Sequence, residues 1–123
     1  MPELVFRPIT RGDFPLLGRW LQQPHVARWW ADDPSPGALE ADYGGCIEGT
    51  EPADVFIAHY RHVPLGLIQR LRFADYPQYI QELQPVLAVP SHAISIDYFV
   101  GSPDMLGKGL GRAMISSFMQ MTW

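Results

Sequence analysis

The chain has 123 residues, of which 47% are hydrophobic and 18% charged, a composition typical of one folded domain over residues 1–123. Its net charge of −4 excludes the basic surface expected of a nucleic-acid-binding protein. Its single cysteine, Cys46, excludes an internal disulfide, and no apolar segment is long enough to predict a membrane span, so the sequence favours a cytoplasmic protein.

The first half of the chain predicts a strand followed by three helices. Residues 4–9 alternate as a strand does, and Asp13 is predicted to cap the next helix with its carboxylate. That helix carries Phe14, Leu17 and Leu21 at helical spacing. Pro24 suits the first position of a second, short helix. A third helix is predicted over 36–49, with Leu39, Tyr43 and Ile47 on one face and Gly44 and Gly45 weakening it.

The second half predicts a hairpin, a further strand and a last helix. Residues 54–60 and 65–73 form the hairpin, joined by 61–64, and the proline-rich stretch 74–91 is predicted to be irregular. A strand over 93–101 then leads to a helix over 109–121, whose apolar stripe is Leu110, Met114 and Phe118. The order predicts an α/β chain of the α+β type, with a mainly antiparallel sheet flanked by helices.

Three glycines, Gly107, Gly109 and Gly111, stand where the last strand meets the last helix. Glycine lets the backbone approach a ligand closely, and the first amides of a helix attract anions such as phosphate. The spacing fits neither a Walker A loop nor the dinucleotide fingerprint. The loop therefore predicts either an anion site of another kind or a tight turn with glycines for packing only.

Two stretches resemble one family. The segment "SIDYFVGSPDMLGKGLGRAMI" (95–115) resembles the strand, loop and helix of the GNAT acyltransferases, whose pattern is Q/R-x-x-G-x-G/A. Gly109 and Gly111 match its two glycines, whereas Leu106 stands where Gln or Arg is usual. The segment "FRPITRGDFPLLGRWLQQPHVARWW" (6–30) is similar to the beginning of bacterial aminoglycoside 6′-N-acetyltransferases and their siderophore-acylating relatives.

The resemblance implies a binding site for acetyl-CoA. Main-chain amides of Gly107, Lys108, Gly109, Leu110, Gly111 and Arg112 would receive its pyrophosphate. An amide of Tyr98, Phe99 or Val100 would polarise the thioester carbonyl. The side chains of Lys108 and Arg112 either add charge near the phosphates or are simply solvated.

The resemblance also implies an acceptor site. Asp97 matches the proposed base of the aminoglycoside enzymes, and the alternative is a structural acid paired with an arginine. The residues themselves add further candidates: one of the adjacent Trp29 and Trp30 would form a wall of the acceptor pocket, with simple packing as the alternative. Asp32 and Asp33 would add negative potential that attracts a polyamine. The acids Glu40, Asp42, Glu48 and Glu51 are better explained as a solvated helix face. Zinc at His59 and His62, and a nucleophilic role for Cys46, are disfavoured because neither has the necessary neighbours.

Taken together, these features predict an acetyl-CoA-dependent N-acetyltransferase acting on a primary amine, most simply the 6′-amine of an aminoglycoside, with antibiotic resistance as the consequence. The alternatives are acylation of a lysine-derived siderophore amine and a catalytically incomplete CoA-binding or interaction domain. No metal, nucleic-acid or membrane partner is expected.

The family resemblance also implies further strands and a helix after the glycine loop, which the 123 residues do not include. The sequence therefore predicts an unpaired edge on the 93–101 strand and incomplete cover for the stripe of Leu110, Met114 and Phe118. From this we expect either a homo-oligomer formed through that strand and the last helix, or a truncated form of a longer enzyme. Either form is expected to be a weak catalyst when isolated.

Overall fold

The computed structural model describes residues 3–30, 32–72, 75, 76, 78, 81 and 94–122. They form a four-stranded antiparallel sheet in which the order of the strands is their order in the chain. The strands are β1 (Leu4–Pro8), β2 (Asp54–Tyr60), β3 (Val63–Arg72) and β4 (Ile94–Val100). This arrangement confirms the predicted fold class. The predicted irregular stretch 74–91 lies almost wholly outside the described residues.

Helices cover both faces of this sheet. Three pack on one face, namely α1 (Phe14–Leu21), α2 (Pro24–Ala27) and α3 (Pro36–Glu48), and α4 (Leu110–Thr122) packs on the other. The bounds predicted for α3 and α4 agree with the structure to within one residue, and α1 and α2 begin where the sequence predicts, after Asp13 and at Pro24. Despite Gly44 and Gly45, α3 forms, and it ends at Gly49, whose φ of 80° makes it a left-handed cap. None of these described helices has the length and apolarity needed to cross a membrane.

The core beneath α1–α3 brings the end of β4 against two tryptophans. The Trp20 and Phe99 rings meet edge to face at 6.1 Å, and the Trp30 and Phe99 rings do so at 5.0 Å. Gly101, immediately after β4, lies so close to Trp20 that a Cβ placed there would collide with the indole ring. A side chain at residue 101 is therefore excluded by the ring.

The core beneath α4 corrects one expectation from the sequence. The stripe of Leu110, Met114 and Phe118 is 4%, 0% and 0% exposed, so it does not lack cover. The Phe118 ring packs between the rings of Phe6 and Phe56, at 5.3 and 5.5 Å. The prediction failed because it assigned the cover to a strand that would follow the helix, whereas β1, β2 and β3 of this chain supply it.

The hairpin turn is also tighter than predicted. Arg61 and His62 alone form it, with φ of 51° and 68°, and β3 begins at Val63. The sequence analysis placed Pro64 in the connection, and proline is indeed unfavourable inside a strand because it cannot donate to the ladder. In the structure Pro64 lies in β3 opposite His59, beside an irregularity between Ala58 and His59 that accommodates it.

Asp13 stabilises the start of α1, but not by the predicted contact. Its side chain does not cap the free amides of α1. Instead, the carboxylate accepts from both guanidinium nitrogens of Arg7, at 2.7 and 2.9 Å, and from the Thr10 amide at 2.8 Å. Burial raises the pKa of this carboxyl, but the bonds from Arg7 and Thr10 outweigh it and hold the pKa below its usual value.

We expect Asp13→Ala to lower the free energy of unfolding by about 2 kcal/mol at pH 7, because a bidentate, charge-assisted contact is lost. Since the folded-state pKa is depressed, this stabilisation is complete above the unfolded pKa of about 3.9 and is lost as pH falls through the folded value. Urea titrations at pH 7 and pH 3 measure the difference. Glu48→Ala, which removes an exposed bond to Arg11, is the matched control and should change little. If Asp13→Ala lowered the free energy of unfolding equally at pH 7 and pH 3, the stabilisation could not be assigned to the ionised carboxylate of Asp13.

Candidate active site

Asp97 lies on β4, on the face of the sheet covered by α1–α3. It is two residues from Phe99 and so projects from the same face, and its cross-strand partner is Gln69. Asp97 is exposed at the wall of a cavity of about 420 Å³. The residues lining this acceptor cavity, as we call it, are Trp29, Trp30, Asp32, Asp42, Tyr43, Gln69 and Asp97.

The structure brings the predicted acceptor residues together around this cavity. Trp29 is 81% exposed and is therefore not a core residue, whereas Trp30 packs on Phe99. The Trp30 indole N–H donates to the Asp32 carboxylate at 2.7 Å, and the Tyr43 hydroxyl donates to the same oxygen at 3.4 Å. Asp32 is thus fixed in orientation by two aromatic side chains that themselves line the cavity.

The acceptor cavity is electronegative, since three carboxylates line it and no lysine or arginine does among the described residues. Partial loss of hydration, and then the charges of Asp32 and Asp33, raise the pKa of Asp42. Burial, and then the charge of Asp32, raise the pKa of the Tyr43 hydroxyl, which stays protonated and able to donate. A cationic ligand would relieve the repulsion among these carboxylates.

Asp42 is exposed, as the sequence interpretation of a solvated helix face predicts, but its surroundings differ from those of its neighbours. The sequence analysis predicted that Glu40, Asp42 and Glu48 all lie on a solvated helix face. Glu40 and Glu48 bind the exposed guanidinium of Arg11, at 2.7 and 2.8 Å, whereas Asp42 lines the acceptor cavity. Asp42 lies at the same cavity as Asp97 of β4, whereas Glu40 and Glu48 do not. Helical periodicity alone does not predict this difference, because it depends on how α3 packs against a distant strand.

Asp97 forms no ion pair with any residue that the structure describes. The arginine pairs on this sheet use other acids, for example Arg70 with Asp54 at 2.9 Å. The alternative interpretation of Asp97, a structural acid paired with an arginine, therefore receives no support within the described part of the chain.

Among the described strands none pairs with the outer edge of β4, which we call its free edge, and the direction of the backbone amides there narrows the candidates for the amide that would polarise a thioester. The Gly101 amide donates to the Leu65 carbonyl at 2.9 Å, so the backbone amide of residue 101 points towards β3. Residues of an antiparallel strand point their amide and carbonyl alternately towards and away from the partner strand. Tyr98 and Val100 therefore present these groups at the free edge, whereas those of Phe99 face β3.

A second cavity, of about 470 Å³, opens at this edge of β4. We call it the edge cavity; it is lined by His25, Val26, Trp29, Trp30, Tyr98, Phe99, Val100 and Leu106. The two cavities share Trp29 and Trp30. The Nε2 atom of His25 lies 2.9 Å from the Val100 carbonyl oxygen and donates to it, since that oxygen can only accept.

The glycine loop lies beside this edge. Gly107 and Gly109 have φ of 76° and 72°, a conformation that favours glycine, and Gly111 lies close to Val100 and Tyr98. The first bond closing α4 runs from the Ala113 amide to the Gly109 carbonyl, at 3.1 Å. The amides of Leu110, Gly111 and Arg112 therefore have no acceptor within the helix. The side chains of Lys108 and Arg112 are exposed, whereas that of Leu110 is buried in the core.

The remaining polar candidates lie away from these cavities. His59 and His62 line a separate cavity with Glu3, Val5, Arg7 and Arg61. Within the described residues no three side chains form a group able to hold a metal ion. Burial, with Glu51 and Asp54 nearby, raises the pKa of the Cys46 thiol and disfavours the reactive thiolate.

The sequence analysis missed four residues of the site. Tyr43 was assigned only to the core stripe of α3, and Asp42 to the solvated face. Gln69 has no distinguishing motif, and only the strand register places it opposite Asp97. His25 lies within the segment 6–30 that resembles the aminoglycoside enzymes, but its partner is a backbone carbonyl 75 positions away.

Known proteins similar to this chain share both its fold and its sequence pattern. Over 97% of its length the chain is 23% identical to the aminoglycoside N(6′)-acetyltransferases type 1 of Klebsiella pneumoniae and Serratia marcescens. It spans 59% of the length of these relatives.

Solved structures agree with this similarity. The crystal structure of aminoglycoside acetyltransferase AAC(6′)-Ib in complex with coenzyme A and kanamycin superposes with a TM-score of 0.78 at 21% identity, covering 97% of this chain and 66% of that one. The aminoglycoside N(6′)-acetyltransferase of Legionella pneumophila superposes with a TM-score of 0.71 at 20% identity, covering all of this chain and 66% of that one. The family model of the acetyltransferase (GNAT) domain matches residues 10–123. The chain therefore belongs to the GNAT acetyltransferase domain family.

Proposed function

We propose that the chain is an acetyl-CoA-dependent N-acetyltransferase domain acting on a primary amine of a polycationic molecule, most simply the 6′-amine of an aminoglycoside. The observation that carries this proposal is the pair of adjoining cavities on either side of Trp29 and Trp30. One presents Asp97 among other carboxylates, and the other presents the free edge of β4.

The proposed reaction joins the contents of the two cavities. An amine held in the acceptor cavity loses a proton to Asp97, directly or through water, and its nitrogen attacks the thioester carbon. The edge amide of Tyr98 or Val100 donates to the carbonyl oxygen, where negative charge develops. The new C–N bond forms, and as the C–S bond breaks the nitrogen gives up its second proton. The CoA thiolate leaves and takes up a proton, either this one or one from solvent.

The glycine loop would hold the other end of the donor. The free amides of Leu110, Gly111 and Arg112 stand at the positive end of the α4 dipole, which favours a pyrophosphate. Lys108, exposed in the same loop, adds positive charge at that point. Among the relatives, the AAC(6′)-Ib structures in complex with coenzyme A support a donor of this class.

The acceptor is inferred from charge. Asp32, Asp42 and Asp97 together exceed what one ammonium group can balance, so an acceptor with several amines is favoured. An aminoglycoside fits this requirement, and the AAC(6′)-Ib complex with kanamycin supports it. A lysine-derived siderophore amine offers a single positive charge and fits less well. The antibiotic-resistance role, the cytoplasmic location and self-association through β4 and α4 stay predictions.

The test is release of free thiol from acetyl-CoA in the presence of different amines. We expect kanamycin-type amines to stimulate release, and a lysine-type monoamine at equal concentration to do so at least tenfold less, because it lacks the additional ammonium groups. Asp42→Asn should narrow this preference, since it removes one of the three carboxylates, whereas Glu48→Gln on the exposed face of α3 should not change it.

The alternatives predict different results. Preference for the monoamine would support siderophore acylation. Binding of CoA by calorimetry without turnover of any amine would support a catalytically incomplete CoA-binding domain. Failure to bind CoA at all would contradict the proposal.

A further inference from the structure

We propose that His25 is a positioning residue that fixes α2, and with it Trp29 and Trp30, against the end of β4, so that the two cavities stay aligned. This inference rests on the proposed function, because alignment matters only if an acyl donor and an amine meet there. It concerns a contact between a side chain of the helical layer and the backbone of the strand edge.

By itself, α2 is not a stable structural unit. It contains four residues, Pro24–Ala27, and an isolated turn of that length is not stable in water. It must therefore be held by contacts with the rest of the chain. Val26 supplies one, since its side chain is 2% exposed in the core beneath α1–α3.

Val26 holds α2 without specifying its direction. Burial of an apolar side chain is favourable in many orientations. A hydrogen bond requires a defined distance and angle, and the bond from His25 Nε2 to the Val100 carbonyl, 2.9 Å long, is the one that joins α2 to β4. It therefore fixes the orientation of α2 relative to the strand edge.

The orientation of α2 also determines where Trp29 and Trp30 lie. The amides of Trp29 and Trp30 donate to the Val26 carbonyl, at 3.1 and 2.8 Å, so both residues continue directly from this turn. Their side chains form the wall common to the two cavities. A rotation of α2 would move that wall, and with it Asp32, which the Trp30 indole holds.

The Val100 carbonyl belongs to the free edge of β4. This carbonyl already accepts a hydrogen bond from His25. The part of the β4 edge that remains accessible to an acyl donor therefore ends at the imidazole. Displacement of a reacting group by about 1 Å can cost roughly 10²-fold in rate, so a misplaced wall or edge affects turnover more than binding.

The test compares His25→Leu with His25→Gln. Leucine fills the space without a donor, whereas the amide nitrogen of glutamine can reach the position of Nε2 and donate to the same carbonyl. We expect His25→Leu to lower kcat at least tenfold, and His25→Gln to stay within about threefold of the unsubstituted chain. The dissociation constant of CoA should change less than about threefold in both, because the pyrophosphate binds at the glycine loop.

His59→Leu is the matched control, since His59 is also half-buried but lines neither cavity. Unchanged kcat in a folded His25→Leu would overturn the inference. A His25→Gln variant as slow as His25→Leu would also overturn it, and loss confined to one limb of the pH profile would then identify the imidazole as a proton-transfer group.

A readout without turnover separates this inference from the proposed function. The nuclear Overhauser contact between the Trp30 and Phe99 rings, whose centroids are 5.0 Å apart, reports the position of α2. We expect it in the unsubstituted chain and in His25→Gln, and expect it to weaken in His25→Leu. If no amine is acetylated, the proposed function fails, and an undiminished ring contact in His25→Leu would still contradict the role of His25.

Discussion

Asp97→Asn is expected to reduce turnover by about 10² or more while leaving the affinity for acetyl-CoA nearly intact. Asparagine keeps the size of the side chain and its place opposite Gln69 but cannot accept a proton from an ammonium group. Because Asp97 lies in the acceptor cavity and not at the glycine loop, binding of the donor should not depend on it. Steady-state thiol release and calorimetry with CoA measure the two quantities separately.

The control for Asp97 is Asp104→Asn. Asp104 is exposed in the short turn Pro103–Met105 and lines neither cavity, so the same chemical change there should leave turnover unaffected. An Asp97→Asn variant with full activity from pH 6 to pH 9 would show that Asp97 is a structural residue.

Gly111→Asp is expected to weaken CoA binding at least tenfold, or by about 1.4 kcal/mol. The substitution places a carboxylate among the free amides at the start of α4, where it competes with and repels a pyrophosphate. Gly109→Asp should have a similar effect on binding, with the added strain of a side chain at φ 72°. Calorimetry with CoA at two salt concentrations measures the affinity and the electrostatic share of the loss.

Gly111→Ala is the control at the same position. A Cβ there would meet Val100 and Tyr98 at 3.6 and 3.8 Å, which is ordinary contact, and alanine favours a helix over glycine by about 1 kcal/mol. The alanine variant should therefore be folded and bind CoA within about twofold of the unsubstituted chain. Unchanged affinity in a folded Gly111→Asp would contradict the assignment of the loop.

Local patterns in the sequence predicted most of the fold. The apolar stripes of α3 and α4, the alternation of the strands and the proline and glycine positions each depend on neighbours a few residues apart. The errors concern features that the periodicity of a strand or helix does not encode. The cap by Asp13 failed because Arg7 binds the carboxylate instead. The hairpin turn was predicted two residues too long, because Arg61 and His62 are not typical of the positive φ that a two-residue turn requires.

The residues of the candidate site also fall into two groups, those that the sequence could identify and those that only the packing of the fold reveals. Asp97 could be named because a family resemblance marks its position, and Asp32 and the two tryptophans because of their charge and their adjacency in the chain. The roles of Asp42, Tyr43 and Gln69 could not, since they depend on the angle at which α3 crosses the sheet and on the register of β3 with β4. The bond between His25 and Val100 could not be predicted either, because its acceptor is a backbone carbonyl, a group that every residue has.

The contact between Gly101 and Trp20 limits how the site could be redesigned. Any side chain at residue 101 would push the end of β4 off the indole ring, and a Cβ at Gly66 would meet the Phe99 carbonyl oxygen on the other side of the same segment. The end of β4 is thus clamped between two positions that tolerate only glycine. A mutant library intended to admit bulkier acyl groups should keep both glycines and vary Tyr98 and Leu106, whose exposed side chains line the edge cavity.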